Sequence, residues 1–293
     1  MIELSIVTPT YNRADLLPRC YHSLREQTRQ DFEWIVIDDG STDHTKDLIE
    51  SYINCDDNLF PIYYQYKPNG GKHTALNASH ELIHGKYVVI LDSDDYLTPD
   101  AVETICREWG VFYLDKSICC LSFYKALENG KTVSKEIDGR IISDHISFRV
   151  NQTSGGDQCE VVRAEYFKEY TFPVFSGERF ISEGLLWNYL GFRYKTVYCN
   201  KAVYICEYRS DGISKSGRKL LMRNPKGMIE LTKTFFDSRV CFRKRIKETW
   251  LYIVYSLCDK RSFKRIVKES KYRFLTFVNY PIGAVLYSFW KQR

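Results

Sequence analysis

The chain has 293 residues, 44% of them hydrophobic and 27% charged, a composition that excludes disordered and fibrous classes and is ample for a sizeable core. Its net charge of +5 hides a split: from Lys215 onward 20 basic residues face 5 acidic ones, whereas the first 214 residues carry 22 basic and 32 acidic side chains. A nucleic-acid-binding protein acting through the basic tail is the competing non-enzyme reading, but an acidic body repels nucleic acid, so no nucleic-acid partner is expected.

The first ninety residues alternate in type. Leu4-Ser5-Ile6-Val7-Thr8 reads as a buried strand, and Leu16, Leu17, Cys20 and Leu24 follow at helical spacing. Trp34 to Ile37 is a second strand, and Leu48, Ile49 and Tyr52 mark a helix after Asp43. Ile62 to Tyr66 is a third strand. Ala75, Leu76, Ser79, Leu82 and Ile83 mark a third helix, with Gly85 placed as its C-cap. Tyr87 to Leu91 is the fourth strand, and Thr98-Pro99 reads as the N-cap and first position of a fourth helix. Strand and helix alternating four times imply a mostly parallel α/β sheet covered on both faces. Farther on, Glu183 to Leu190 reads as helix. Tyr194 to Cys199 and Ala202 to Tyr208 read as two strands joined by a tight turn at Asn200-Lys201.

Parallel sheets bind ligands at the carboxyl ends of their strands. Four polar clusters sit there: PTYNR (9–13), DDGSTD (38–43), KPNGGKH (67–73) and DSDD (92–95). A lone Asp-x-Asp is usually a solvated turn. At this edge, two carboxylates a few ångströms apart are a hard-oxygen pair suited to Mg2+ or Mn2+, with a substrate phosphate completing the shell. In DDGSTD, Gly40 permits a sharp turn and Ser41, Thr42 or Asp43 can cap the next helix. Capping does not account for both aspartates before the glycine. GGKH is not a Walker A loop, since His73 stands where Ser or Thr is required. A glycine pair with a lysine at a helix start still suits a phosphate or a sugar hydroxyl.

Taken together, SIVTPTYNR, DDGST, NGGKHTALN and LDSDD, in this order and spacing, resemble glycosyltransferase family 2. The resemblance is most specific over residues 4 to 97. It implies a GT-A fold, a Rossmann-like α/β sheet with helices on both faces, and inverting transfer from a nucleotide-sugar, as in enzymes of bacterial surface polysaccharides. UDP-galactose, UDP-glucose and UDP-N-acetylhexosamines are the expected donors, and a saccharide or lipid-linked saccharide the expected acceptor. By resemblance, Pro9 and Tyr11 line the base pocket, Asp39 binds the base, Lys72 lies near the nucleotide, Asp92 contacts ribose or the metal shell, and Asp94 ligates Mn2+ or Mg2+. Alignment on Trp187 makes Glu183 the catalytic base, with Glu178 as competitor. Tyr208 to Gly212 resembles a loop that closes over the donor. A nucleotidyltransferase, the competing enzyme class, requires a glycine-rich basic loop after the first strand, where this chain has Pro9-Thr10-Tyr11-Asn12-Arg13.

The expected organisation is a nucleotide-binding half (1–97), an acceptor-binding half carrying the base (98–214) and a basic amphipathic helical tail (215–293). MIELSIVTPTYNR lacks a basic n-region, and the ten cysteines form no Cys-x-x-Cys pair. These features predict neither a signal peptide nor a zinc ribbon, and a cytoplasmic setting. Phe274 to Trp290 is uncharged but interrupted by Asn279, Pro281 and Gly283. With its basic flanks it predicts peripheral contact through 260–293 with the inner face of the membrane, unless the apolar face is buried on the catalytic domain.

Overall fold

The computed structural model describes residues 2–152, 156–207 and 213–292. Its strands are β1 (Leu4–Thr10), β2 (Phe32–Asp38), β3 (Ile62–Tyr66), β4 (Tyr87–Ile90), β5 (Tyr96–Leu97), β6 (Ile118–Ala126), β7 (Arg140–Ser143), β8 (Gln158–Arg163) and β9 (Lys195–Ile205). They join in one sheet ordered β3-β2-β1-β4-β8-β6-β9-β5, with β7 paired to β9. The first four strands are parallel to one another, as their crossover helices require. Beyond β4 the sheet is mixed: β8 runs antiparallel to both β4 and β6, and β6 and β9 are parallel. Apolar residues cover both faces. Trp34 and Trp109 lie in the layer on one side, and Ala75, Phe167 and Leu186 in the layer on the other.

Helices α1 (Leu17–Arg25), α2 (Thr45–Ile53) and α3 (Lys72–Ser79) are the crossovers among the first four strands. Helix α3 ends at Ser79, so Gly85 does not cap it. Instead the Gly85 N–H donates to Ser5 Oγ and to the fully buried Glu33, and a Cβ at Gly85 would lie 2.6 Å from the Ser5 nitrogen. That glycine is needed for close approach to β1. Helix α4 (Ala101–Phe112) begins later than expected, with Asp100 at the N-cap. Thr98 instead donates its hydroxyl to Asp100 and its N–H to the Val203 carbonyl.

The expected hairpin at Asn200-Lys201 is also corrected. β9 runs through both residues, and its register against β6 shifts between Ser122 and Tyr124. The polar pair is a bulge, with the Asn200 N–H bonded to Gly139 O. Short α5 (Ala164–Lys168) and α6 (Gly184–Gly191) cover the sheet. The rest is helical: α7 (Ile213–Arg223, broken at Gly217), α8 (Pro225–Thr234), α9 (Phe242–Cys258), α10 (Phe263–Glu269) and α11 (Arg273–Lys291). α8 packs on α6 and α9, and α11 on α9. Tyr208 and the expected donor-covering segment to Gly212 lie outside the described residues.

Candidate active site

The four strand-end loops are tied to one another in series. After β1, Asn12 adopts φ 51°, a left-handed conformation that asparagine tolerates. Its N–H donates to Ser41 Oγ (2.8 Å), and its Oδ1 accepts from the Thr42 N–H (2.7 Å). Asp43 accepts from the Thr45 N–H and hydroxyl at the start of α2. After β2 the aspartates diverge. Asp38 accepts from the Ser41 N–H and from the Tyr64 hydroxyl. Asp39, only 4% exposed, accepts from the Gly70 N–H (2.9 Å), the Gly71 N–H (2.7 Å) and the Lys67 ammonium. Its carboxylate thereby sits at the N-terminus of α3, where backbone N–H groups and the helix dipole favour an anion.

Lys72 opens α3 and forms the centre of the arrangement. Its ammonium pairs with Asp92, at the end of β4, and lies 2.6 Å from Glu183, at the N-cap of α6. Burial penalises the Lys72 charge, but the two carboxylates outweigh it and hold its pKa above the ordinary lysine range. Burial likewise opposes the Asp92 charge, while Lys72 and Lys125 bring its pKa below the ordinary value. Lys125 reaches in from β6, 4.0 Å from Asp92 and 3.0 Å from Asp157, with its ammonium over the Tyr204 ring. Asp95 is buried and accepts from the Tyr204 hydroxyl (2.8 Å) and the Glu207 N–H. Burial, then the nearby charge of Asp92, raises its pKa to about 7. The Tyr204 oxygen in turn accepts from the Asp92 N–H. Asp95 therefore fastens the DSDD turn to β9.

Glu178 is fixed elsewhere. It is 7% exposed, and its two oxygens accept from the Lys226 and Gly227 N–H groups at the start of α8. The next residues are tied down as well, since Asn224 Oδ1 accepts from the Arg179 and Phe180 N–H groups. Gly71, at φ 94°, lies so close to Arg179 that an added Cβ would stand 1.9 Å from its carbonyl oxygen. The segment 178–183 is thus a strap from α8, across the start of α3, to Glu183.

Pro9 lies inside β1, where pairing with β4 has already ended at Val7, so its missing N–H breaks no ladder bond. Tyr11 follows, 45% exposed at the same edge. Among the described residues no three His, Cys, Asp or Glu side chains cluster to hold a metal ion. Asp94 nevertheless suits a cation completed by substrate oxygens. In the DSDD turn its backbone carbonyl accepts from Arg19, while its carboxylate has no hydrogen bond or ion pair among the described residues. Lys125, Asp157 and Tyr204 escaped the sequence reading. The one available signal was a single lysine within the otherwise uncharged strand ICCLSFYKA.

The model for glycosyl transferase family 2 matches residues 5–160. The chain is 30% identical over 247 residues to a GalNAc(5)-diNAcBac-PP-undecaprenol beta-1,3-glucosyltransferase of Campylobacter jejuni, covering 80% of this chain and 74% of that protein. It is 41% identical over 118 residues to a chondroitin synthase and a hyaluronan synthase of Pasteurella multocida, a match spanning 40% of this chain but only 12% of each synthase. Among solved structures, residues 1–349 of Staphylococcus aureus TarS with UDP-GlcNAc superpose with a TM-score of 0.65 at 17% identity, over 99% of this chain and 92% of that one. The mannosyltransferase PcManGT of Pyrobaculum calidifontis with GDP-Man and Mn2+ gives 0.61 at 16% identity, over 99% and 88%. The expected GT-A architecture is the one observed.

Proposed function

The chain belongs to glycosyl transferase family 2, and from that premise we propose that it moves a sugar from a nucleotide donor to an acceptor hydroxyl with inversion. A UDP-hexose or UDP-N-acetylhexosamine is the favoured donor, in keeping with the UDP-GlcNAc bound by TarS. A saccharide or lipid-linked saccharide is the acceptor, in keeping with the undecaprenol-linked substrate in the name of the Campylobacter relative. Residues 1–97 serve the nucleotide and 98–214 the acceptor. Peripheral contact of 260–293 with the membrane belongs to the same reading.

One observation carries the proposal. A single ammonium, that of Lys72, bridges Asp92 on the donor loops and Glu183 at the start of α6. The proposed phosphate-side carboxylate and the proposed base therefore flank one space. Glu183 takes the proton of the acceptor hydroxyl as its oxygen attacks the anomeric carbon in line, since a sugar hydroxyl stays protonated at neutral pH. The bond from that carbon to the diphosphate oxygen breaks, and its electron pair leaves with the nucleoside diphosphate. The diphosphate competes for Lys72, which frees the Glu183 carboxylate for the proton. A divalent cation at Asp94, with Asp92 beside it, would supply electrostatic stabilisation to the departing diphosphate. Such a cation accords with the Mn2+ in PcManGT. Pro9 and Tyr11 line the base pocket. Asp39 retains one acceptor lone pair, on Oδ2, for a base N–H while holding the glycine loop.

Isothermal titration of UDP and GDP, each with and without Mn2+, tests the donor half. Manganese-dependent UDP binding that Asp94→Ala abolishes is the expected result. Tight binding of neither nucleotide under any condition would overturn it.

A further inference from the structure

The two faces of α11 differ sharply. Thr276, Asn279 and Gly283 are buried. Gly283 meets α9 so closely that a Cβ would lie 2.6 Å from Ile253, and Asn279 accepts from the Trp250 indole N–H. These contacts fix the rotation of the helix. The opposite face therefore points outward, and it consists of Phe274, Phe277, Val278, Ile282, Val285 and Phe289. Positions 274, 278, 282, 285 and 289 form one stripe at helical spacing, along about 22 Å of helix. Phe274 is 81% and Val285 71% exposed, in a row without a charge. Phe263 of α10 extends it by packing on Phe277 and Tyr280. Such a continuous exposed apolar face marks an interaction surface.

The surrounding charges select the partner. Lys264, Lys268, Lys271, Arg273 and Lys291 are exposed and make no salt bridge among the described residues. Pairing of two copies along this stripe would bring the basic ends of both helices together without a compensating acid. No helix of the described residues is long and apolar enough to cross a membrane. An apolar stripe with a basic border suits the plane of an anionic bilayer surface. We infer that the outward face of α11, with the lysines of α10, docks the protein on anionic phospholipid. The inference rests on the lipid-linked acceptor for its purpose, and on the stripe and its charges for its geometry.

Co-sedimentation of the full chain with vesicles tests it, using phosphatidylcholine alone or mixed with phosphatidylglycerol. Binding is expected to the anionic vesicles and to weaken with salt. The pair Val278→Asp and Val285→Asp should reduce it by at least about tenfold, and Lys264→Gln and Lys268→Gln by about fivefold each. Phe274→Ser is a second, milder probe of the stripe. Unchanged thermal unfolding confirms that each variant is folded. Equal binding to neutral and anionic vesicles, or wild-type binding by the folded aspartate or serine variants, would overturn the proposal. So would a wild-type dimer in light scattering that the aspartates dissolve, which would assign the stripe to a second copy. If neither UDP nor GDP binds while the vesicle results hold, the donor-site reading fails and the docking surface stands.

Discussion

Two glutamates five residues apart, Glu178 and Glu183, show how little residue type says about role. Both stand on the strap that leads into α6, and both fit a carboxylate base by sequence. Glu178 is buried, with both oxygens committed to backbone N–H groups of α8. Glu183 faces the side-chain ammonium of Lys72. The difference lies in the partner. A carboxylate holding two buried backbone donors cannot release them without leaving them unsatisfied, whereas one paired with a side chain can exchange.

The comparison is broken or sharpened first by Glu183→Gln. Turnover should fall roughly 10²–10⁴-fold, the usual worth of a positioned general base, while UDP affinity and thermal stability stay near wild type. If Glu178→Gln gave that pattern and Glu183→Gln did not, the two roles would be exchanged. Gly71→Ala comes next. A methyl 1.9 Å from the Arg179 carbonyl, at φ 94°, should cost about 3 kcal/mol or more through overpacking and backbone strain. It should also slow turnover by displacing the strap that positions Glu183. A melt and a rate at saturating donor read both effects. Glu178→Ala should cost about 2 kcal/mol through two orphaned N–H groups, and an unchanged melting temperature would contradict the anchoring part.

The edge where the four polar loops meet was legible because parallel topology places these strand ends on one side, so four short motifs sufficed to mark it. The residues that complete the site were not, because they come from strands remote in sequence. Lys125 and Tyr204 meet Asp92 and Asp95 only once β6 and β9 take their places in the sheet. Gly85 has the local look of a helix C-cap, and its real constraint is the nitrogen of Ser5, eighty residues earlier. Asn200-Lys201 reads as a turn because a polar pair between apolar runs looks the same in a bulge. The tail shows a related limit. Its sequence gives an amphipathic pattern, but only the contact with α9 says which face of α11 is spoken for.

The smallest effect concerns Glu160, whose carboxyl feels the charge of Glu183. It lines a cavity of about 10 Å³, room for one water, together with His145, Ser122, Trp187, Thr196 and Tyr198. Burial, then the charge of Asp157, raises its pKa from the ordinary 4.5 to about 8, with Glu183 adding in the same direction and Arg149 and Lys125 opposing. Between those two values the folded protein holds a proton that the unfolded chain has lost. Stability should therefore be greatest at the acid end of this window and decline as pH rises from about 5 to about 8. Glu160→Gln should remove that part of the slope, read as melting temperature against pH. Because Glu183 acts on Glu160 through its charge, Glu183→Gln should lower the upper end of the window slightly, whereas Glu178→Gln should leave it in place. Identical shifts from both variants would mean that the two glutamates are not electrostatically distinct at this cavity, and the separation of their roles would lose its support.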